Sequence, residues 1–191
     1  MLFRNAVVAV RVALVTLIGL GLAYPLMMTG AAQALFPYQA NGSLVVRDGQ
    51  IVGSALIGQA FAEARYFHGR PSAAGTGYDG TASAASNLAP TSKALVGRVR
   101  IGVAAAVAAN PGLERGAVPV DMVTASGSGL DPDITVANAV AQVARVAAAR
   151  GMTVEATRRI VEGAVEPRQF GVLGELRVNV LRLNLTLDAA Q

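Results

Sequence analysis

The sequence of 191 residues contains no cysteine, no tryptophan and a single histidine, His68. The absence of cysteine excludes disulfide bridges, thiolate metal sites and cysteine nucleophiles. One histidine cannot build a histidine-based metal cluster. Only 15% of the residues are charged, below the roughly 25% that is usual for soluble domains. The hydrophobic content of 53% also excludes intrinsic disorder. We therefore expect one or two folded units and not an ordinary cytosolic globular protein.

Charged side chains are almost missing from the N-terminal region. Residues 6–28 form an apolar run of 23 residues that is interrupted only by Arg11. A membrane-spanning helix needs about 20 predominantly apolar residues. The run therefore predicts a transmembrane anchor, with Arg11 near its cytoplasmic edge.

Basic residues flank this anchor on one side only. Arg4 and Arg11 precede its core, and the next basic residue is Arg47, so the positive-inside rule places the N-terminus in the cytoplasm. A cleaved signal peptide ending near Ala32-Gln33-Ala34 is the alternative, and it exports the same residues. We divide the chain into the N-terminus with its anchor (1–28), a linker (29–42) and one extracytoplasmic domain (43–191).

The outer domain shows signals of both strands and helices, which predicts an α+β fold. Asp48-Gly49 between two β-branched runs predicts a hairpin over 43–54, and small residues predict an irregular loop over 69–90. Alternating leucines predict a final strand over 181–187, with a bulge near Val180-Leu181. Between the loop and the final strand we expect four elements. The first is a helix capped by Thr91, with a buried stripe of Leu95, Val99, Val103 and Val107, and the second is a strand at 118–124. A helix from Asp131-Pro132 to Arg150 and a helix capped by Thr153 follow.

The glycine-rich loop from Ser126 to Pro132 is the first candidate for chemistry. Its backbone N–H groups suit an anion, but no phosphate-binding motif is present and Asp131 and Asp133 would repel phosphate. A tight turn with an aspartate cap explains the same residues, and so does a loop that docks a partner. The net charge of +4 is small and interspersed, so we do not expect nucleic acid to bind.

A second candidate combines aromatic, basic and imidazole side chains at 66–72. Two aromatics beside Arg70 suit a base or a carboxylate, whereas core aromatics with an arginine that pins a loop are the structural alternative. A hydrolytic triad through His68 has no supporting nucleophile motif. The carboxylates Asp79, Asp121, Asp131 and Asp133 suit a hard cation or simple turn caps, and their spacing matches no known loop, so we assign no metal site.

Several of these segments together resemble one family, the C subunit (KdpC) of the Kdp potassium-transporting P-type ATPase. The resemblance extends from the anchor to the C-terminal leucines. The motifs that carry it are Arg70-Pro71-Ser72, Ser86-Asn87-Leu88-Ala89-Pro90-Thr91, the run from Val118 to Pro132, Arg145-Val146-Ala147, and Arg177-Val178-Asn179-Val180-Leu181 with Leu183-Asn184-Leu185.

The resemblance implies a non-catalytic accessory subunit of a high-affinity potassium uptake complex in the bacterial inner membrane, single-pass, with a periplasmic main domain. The implied partners are a channel-like potassium-binding subunit, a P-type ATPase subunit, a small hydrophobic subunit and membrane lipid. ATP and potassium are implied for the complex, with no cofactor assigned to this chain. The family's C subunit is described as a catalytic chaperone that raises the ATP affinity of the ATPase subunit.

We expect partner docking through Arg70, Ser126, Ser128 and Asp131, because these polar loops carry family motifs without a catalytic group. An N-terminus in the cytoplasm puts the domain across the membrane from ATP, so any effect on ATP binding would be indirect. The alternatives are a membrane-anchored periplasmic module that binds a small ligand or ion, and direct nucleotide binding near Tyr66 and Arg70.

Overall fold

The N-terminal unit is dominated by one continuous helical stretch, Leu2–Leu35, in a computed structural model that describes residues 1–190. It consists of α1 (Leu2–Ile18), a π-helical turn (Gly19–Ala23) and α2 (Tyr24–Leu35), and the short α3 (Pro37–Ala40) follows. At 1.5 Å per residue, 34 residues extend about 50 Å, beyond the roughly 30 Å of a bilayer core. None of its residues is buried in the isolated chain.

This helix confirms the predicted apolar anchor and fits a single-pass membrane protein. It continues past residue 28 into the segment assigned as linker, because Ala31, Ala32 and Ala34 are strong helix formers. The compact units divide after Leu44, and the proposed domain bounds remain a prediction.

The second unit, from Val45 onward, is a mixed helix-and-sheet domain. The hairpin strands β1 (Leu44–Arg47) and β2 (Gln50–Ser54) form a separate two-stranded sheet. Asp48 and Gly49 both have positive φ, 50° and 76°, as the tight turn between β1 and β2 requires. The remaining elements are α4 (Lys93–Ala109), β3 (Asp133–Thr135), α5 (Val136–Arg150), α6 (Val154–Gly163), β4 (Val165–Glu166), β5 (Arg177–Asn179) and α7 (Val180–Ala189).

A three-stranded antiparallel sheet with the order β3-β5-β4 lies at the centre of this unit. Ile134 on β3 and Val165 on β4 both pair with Val178 of the middle strand. The buried core contains Phe67, Ile134, Ala139, Val143, Val146, Val161, Val178, Val180, Leu183 and Leu187. Helices α5 and α7 supply most of these side chains, so the core lies between the helices and the small sheet.

Several predicted elements are confirmed. The hairpin, the irregular loop over 69–90 and the α+β class are as expected. Helix α6 begins after Thr153, whose side chain accepts from the N–H of Ala156 at 3.1 Å, and α5 ends at Gly151 in the left-handed region.

The predicted C-terminal strand and its bulge are wrong, because residues 180–189 form helix α7. The fully buried positions Val180, Leu183 and Leu187 recur every three or four residues, which is the helical period. Leucine also has a high helix propensity. Asn179 caps the helix, since its side chain accepts from the N–H of Arg182 at 3.1 Å.

Two further expectations around the glycine-rich loop are wrong. Residues 118–124 form no strand and contain a 3₁₀ turn, Val120–Met122, because Pro119 has no N–H for a sheet ladder. Helix α5 is capped by Thr135, not by Asp131, and its start is displaced by strand β3. Helix α4 begins after Ser92, and its four predicted stripe residues are only half buried.

Candidate partner-docking site

The candidate site is built on two irregular segments, residues 69–84 and 125–131, which we call the double loop. Arg70 joins them, because its guanidinium donates to Asp131 Oδ2 at 2.9 Å and to the carbonyl of Ala125 at 3.3 Å. The two side chains are 25% and 31% exposed, so this ion pair is partly shielded from water. The Nε of Arg70 is buried and has no hydrogen-bond partner within residues 1–190.

Ser72 is the second connection within the double loop. Its hydroxyl donates to the carbonyl of Gly129 at 2.6 Å and accepts from the N–H of Tyr78 at 2.7 Å. Gly129 has φ 70°, and a Cβ there would lie 2.6 Å from the carbonyl oxygen of Ala84. Only glycine fits this close approach, so Gly129 serves backbone packing.

Ser128 and Tyr78 complete the connections. The carbonyl of Ser128 accepts from the N–H of Ala84 at 3.0 Å and from Ser83 Oγ at 2.9 Å. The hydroxyl of Tyr78 donates to the carbonyl of Arg70. Burial, together with the nearby charge of Asp131, raises the pKa of Tyr78, so the phenol remains a donor at neutral pH. The double loop is therefore held by its own hydrogen bonds despite lacking helix and strand.

All four predicted docking residues lie on the double loop, but only three of them present surface to a partner. Arg70 and Asp131 form its central ion pair, and Ser128 is exposed at its edge. Ser126 is only 4% exposed, so it offers little surface to a partner.

Helix α5 carries a row of buried polar side chains, which we call the polar ladder. The sequence-based predictions do not group these residues. Asn138, Gln142 and Arg145 lie on one face and are linked side chain to side chain at 2.8 and 2.6 Å. Asn138 also donates to the buried Asp121 at 3.0 Å. Their spacing of four and three residues was visible in the sequence as a polar stripe on an otherwise apolar helix.

The ladder organises the segment that leads into the double loop. Gln142 accepts from the N–H of His68 at 2.8 Å and donates to its carbonyl at 3.1 Å. Arg145 donates to the carbonyls of Ala64 and Tyr66 at 2.6 and 3.0 Å. Because this segment has no regular secondary structure, these side chains satisfy the backbone groups that a sheet would otherwise pair.

Within residues 66–72, the structure shows the contacts that the structural alternative predicts. Phe67 is fully buried in the core, and Arg70 pins the loop. His68 Nε2 lies 3.1 Å from the carbonyl of Glu63, and no serine or aspartate side chain within the described chain hydrogen-bonds the imidazole. Burial, and then the charge of Arg145, lowers the pKa of His68, so the ring is neutral at pH 7.

The four aspartates proposed as cation ligands are each engaged separately. Asp79 accepts from Thr81, Asp121 accepts from Thr135, and Asp131 pairs with Arg70. Asp133 pairs with Arg177 at 3.1 Å. Burial raises the pKa of Asp133 despite that pairing. Within residues 1–190, no group of three or more acidic or histidine side chains has the geometry of a metal site.

Comparisons with known proteins show which proteins this chain is similar to. Residues 6–189 match the family described as KdpC, the c chain of the K+-transporting ATPase. The chain is similar to proteins named potassium-transporting ATPase KdpC subunit. One from Acidobacterium capsulatum is 55% identical, covering 94% of this chain and 95% of its own length. One from Rhodospirillum rubrum is 58% identical over 88% and 86%, and one from Caulobacter vibrioides 56% over 89% and 85%.

Proposed function

The chain belongs to the KdpC family of potassium-transporting ATPase subunits, and from this premise we propose that it is a non-catalytic accessory subunit that holds the complex together. Its apolar helix anchors it in the bilayer, and its α+β domain docks on the potassium-binding, channel-like subunit. The observation that carries this proposal is the double loop, a polar surface whose two segments are joined by the ion pair between Arg70 and Asp131.

The anchor contributes to assembly through its small residues. Gly19 and Gly21 lie in the π-helical turn, and a Cβ added at Gly19 would meet nothing within 4 Å. Small residues let helices approach closely within a bilayer, where packing drives association. The P-type ATPase subunit, the small hydrophobic subunit and membrane lipid are the partners we propose for this segment.

We propose that the N-terminus is cytoplasmic and that the domain lies in the periplasm, with the anchor in the inner membrane. Arg4 and Arg11 on the N-terminal side of the anchor support this orientation. The variant Thr76→Cys, at an exposed position of the irregular loop over 69–90, tests it, because the chain has no other cysteine. It should react with a membrane-impermeant maleimide in intact cells, and a reaction that requires broken cells would reject the orientation.

The double loop is tested by the variant Asp131→Asn, which removes a charge while preserving side-chain size. We expect the variant to lose partner subunits during purification of the whole complex, because Arg70 would no longer be held in its docking position. Glu155→Gln, an exposed carboxylate change on α6, is the matched control. Full recovery of the partners and unchanged potassium affinity with Asp131→Asn would contradict the docking role.

An influence on ATP binding, described for the family, would on this view act through the shape of the complex. The catalytic ATPase centre would then lie in another subunit, and this chain would need no cofactor of its own. Photo-crosslinking with an azido-ATP analogue on the purified complex tests the point. We expect labelling of the ATPase subunit, and saturable labelling of this chain would overturn the indirect mechanism.

A second candidate function is a module that binds a small ligand or ion. It is favoured by a cavity of about 680 Å³ between α4 and the double loop, within the size range of ligand sites. Ser72, Ser86 and Arg98 are its polar lining residues. Calorimetry of the full chain in detergent with potassium chloride, against choline chloride, tests the ion version of this function. Heat specific to potassium would support the module.

A further inference from the structure

An exposed turn between β4 and β5, residues 168–175, is a separate feature that we call the finger. Gln169 and Leu173 form an antiparallel bridge, and the N–H of each donates to the carbonyl of the other at 2.9 Å. An ion pair between Arg168 and Glu175, at 2.8 Å, closes its base. The finger therefore has a defined shape that its own bonds maintain.

The tip of the finger is strongly apolar and open to solvent. Phe170 is 85% exposed, Val172 72% and Leu173 56%, and Leu176 just beyond the finger is 49% exposed. Single exposed apolar residues are ordinary, but neighbouring ones on one small turn indicate an interaction surface. None of these four side chains is among the buried core residues that the structure describes.

The backbone conformation at the tip is a second, independent indication that the finger is an interaction surface. Phe170 has φ 54°, in the left-handed region that favours glycine, and Gly171 beside it has φ 77°. A phenylalanine in this conformation strains the turn, whereas glycine would not. Strain at an exposed aromatic residue indicates that the side chain serves something other than folding.

We propose that the finger, led by Phe170, inserts into an uncharged apolar cleft on another protein subunit of the potassium-transporting complex. This inference rests on the proposed function, because it requires the chain to dock on partner subunits. It adds a contact that follows neither from the family match nor from the geometry of the double loop.

The charges around the finger favour a protein cleft over a lipid surface. Arg168 is paired with Glu175 at 2.8 Å, and Arg182 with Glu166 at 3.1 Å. Arg177 is paired with Glu166 at 2.8 Å and with Asp133 at 3.1 Å, so three arginines face three carboxylates. Loops that bind anionic bilayers present unpaired basic residues to the headgroups. A surface whose charges are already neutralised matches an uncharged partner surface.

The finger also continues the candidate docking site. Residues 174–177 line a cavity of about 310 Å³ together with Arg70 and Asp131. A single partner can therefore cover the double loop and receive the finger at once. An aromatic side chain at the centre of such an interface is a common hot spot.

The first test is the variant Phe170→Ser in the complete complex, purified in mild detergent through a tag on this chain. We expect about 30-fold weaker retention of the partner subunits on dilution, as for loss of an interface hot spot. Phe170→Gly preserves the backbone conformation and should show the same loss, whereas Phe170→Leu should retain most binding. Ile51→Ser, at an exposed apolar position on β2 that is 64% exposed, is the control.

The second test identifies the occupant with an environment-sensitive dye on Val172→Cys, a unique thiol in this chain. We expect a blue shift and protection from iodide in the detergent-purified complex. Protection of the chain alone in 3:1 phosphatidylethanolamine–phosphatidylglycerol vesicles would overturn the proposal in favour of lipid. Concentration-dependent protection of the chain alone in detergent would overturn it in favour of a second copy, and exposure in every preparation would also overturn it.

Comparison with Asp131→Asn separates this inference from the proposed function. Loss of partners with Asp131→Asn but not with Phe170→Ser rejects the finger and supports the double loop. Loss with Phe170→Ser alone supports the finger and rejects the docking role of the double loop. Retention with both variants rejects both.

Discussion

Replacement of Asn184 by alanine should destabilise the outer domain more than any surface change. Asn184 lies on α7 and is 1% exposed. Its amide accepts from the N–H of Phe67 at 2.8 Å and donates to the carbonyl of Phe67 at 3.0 Å. One side chain therefore satisfies both backbone groups of a core residue that belongs to no helix or strand.

The expected magnitude follows from these two bonds. Asn184→Ala leaves a buried N–H and a buried carbonyl unpaired, each worth about 1–3 kcal/mol, and opens a small cavity. We expect a loss of about 3–5 kcal/mol in the free energy of unfolding. For a domain whose total stability is about 5–15 kcal/mol, this loss lowers the melting temperature by about 10 °C.

Urea unfolding of the full chain in detergent, followed by circular dichroism, measures this loss. Thr186→Ala, on the exposed side of the same helix, is the control and should change stability by less than about 0.5 kcal/mol. Hydrogen exchange at the amide of Phe67 should accelerate in the Asn184 variant. A loss below about 1 kcal/mol with unchanged exchange would refute the assignment of both bonds to this amide.

Three further predictions concern titration and capping. Burial, and then Arg145, lowers the pKa of His68 below its ordinary 6.5, so stability should fall as the pH drops below about 6.5, and His68→Gln should remove that slope. Burial raises the pKa of Asp188, but the hydrogen bond and charge of Arg150 outweigh this and hold the pKa low. Its stabilisation should therefore be present above about pH 4 and lost at lower pH, and Asp188→Asn should flatten acid unfolding. Asn179→Ala removes the cap of α7 together with the hydrogen bonds of its amide to Ala55 and Asp133, and should cost about 2–4 kcal/mol.

Each of these three predictions has a contradicting result. Because the chain has one histidine, a slope near pH 6 that survives His68→Gln would assign it to another group. Acid unfolding with the same midpoint in wild type and Asp188→Asn would show that its ion pairs with Arg65 and Arg150 do not stabilise the fold. An Asn179→Ala variant with unchanged helicity and melting temperature would show that α7 does not depend on its cap.

The sequence predicts those elements that begin or end at a turn-forming or helix-capping residue. Asp48-Gly49 predicted the hairpin, and Thr153 predicted the start of α6, since both act through their own backbone neighbourhood. The anchor was predictable because length and hydropathy alone decide it. These signals do not depend on which distant residues come to surround them.

The C-terminal segment shows where such reasoning fails. Alternating leucines from 181 to 187 fit a strand, yet Leu183 and Asn184 both point inward on α7. Asn184 is buried because it binds Phe67, more than a hundred positions earlier in the chain. The local pattern of residues 181–187 does not include Phe67. It therefore places Asn184 on an exposed face, whereas the structure buries it.

The candidate site was predictable in part for the same reason. Arg70, Ser128 and Asp131 were singled out from motifs, and Arg70 and Asp131 form an ion pair. The ladder of Asn138, Gln142 and Arg145 was not, although its helical spacing was readable. Its meaning depends on an irregular segment whose backbone needs partners, and a sequence does not reveal which loop lacks them.

The apolar pattern overestimates burial at two places in the outer domain, helix α4 and the finger. Helix α4 was expected to bury a full stripe, but those residues are half buried, and Val96 and Ile101 on the same helix are 50% and 73% exposed. The finger shows the same excess of apolar surface around Phe170. On the proposed function, a subunit of a complex keeps side chains that its own fold does not bury, so contacts with partner subunits would account for this mismatch between pattern and burial.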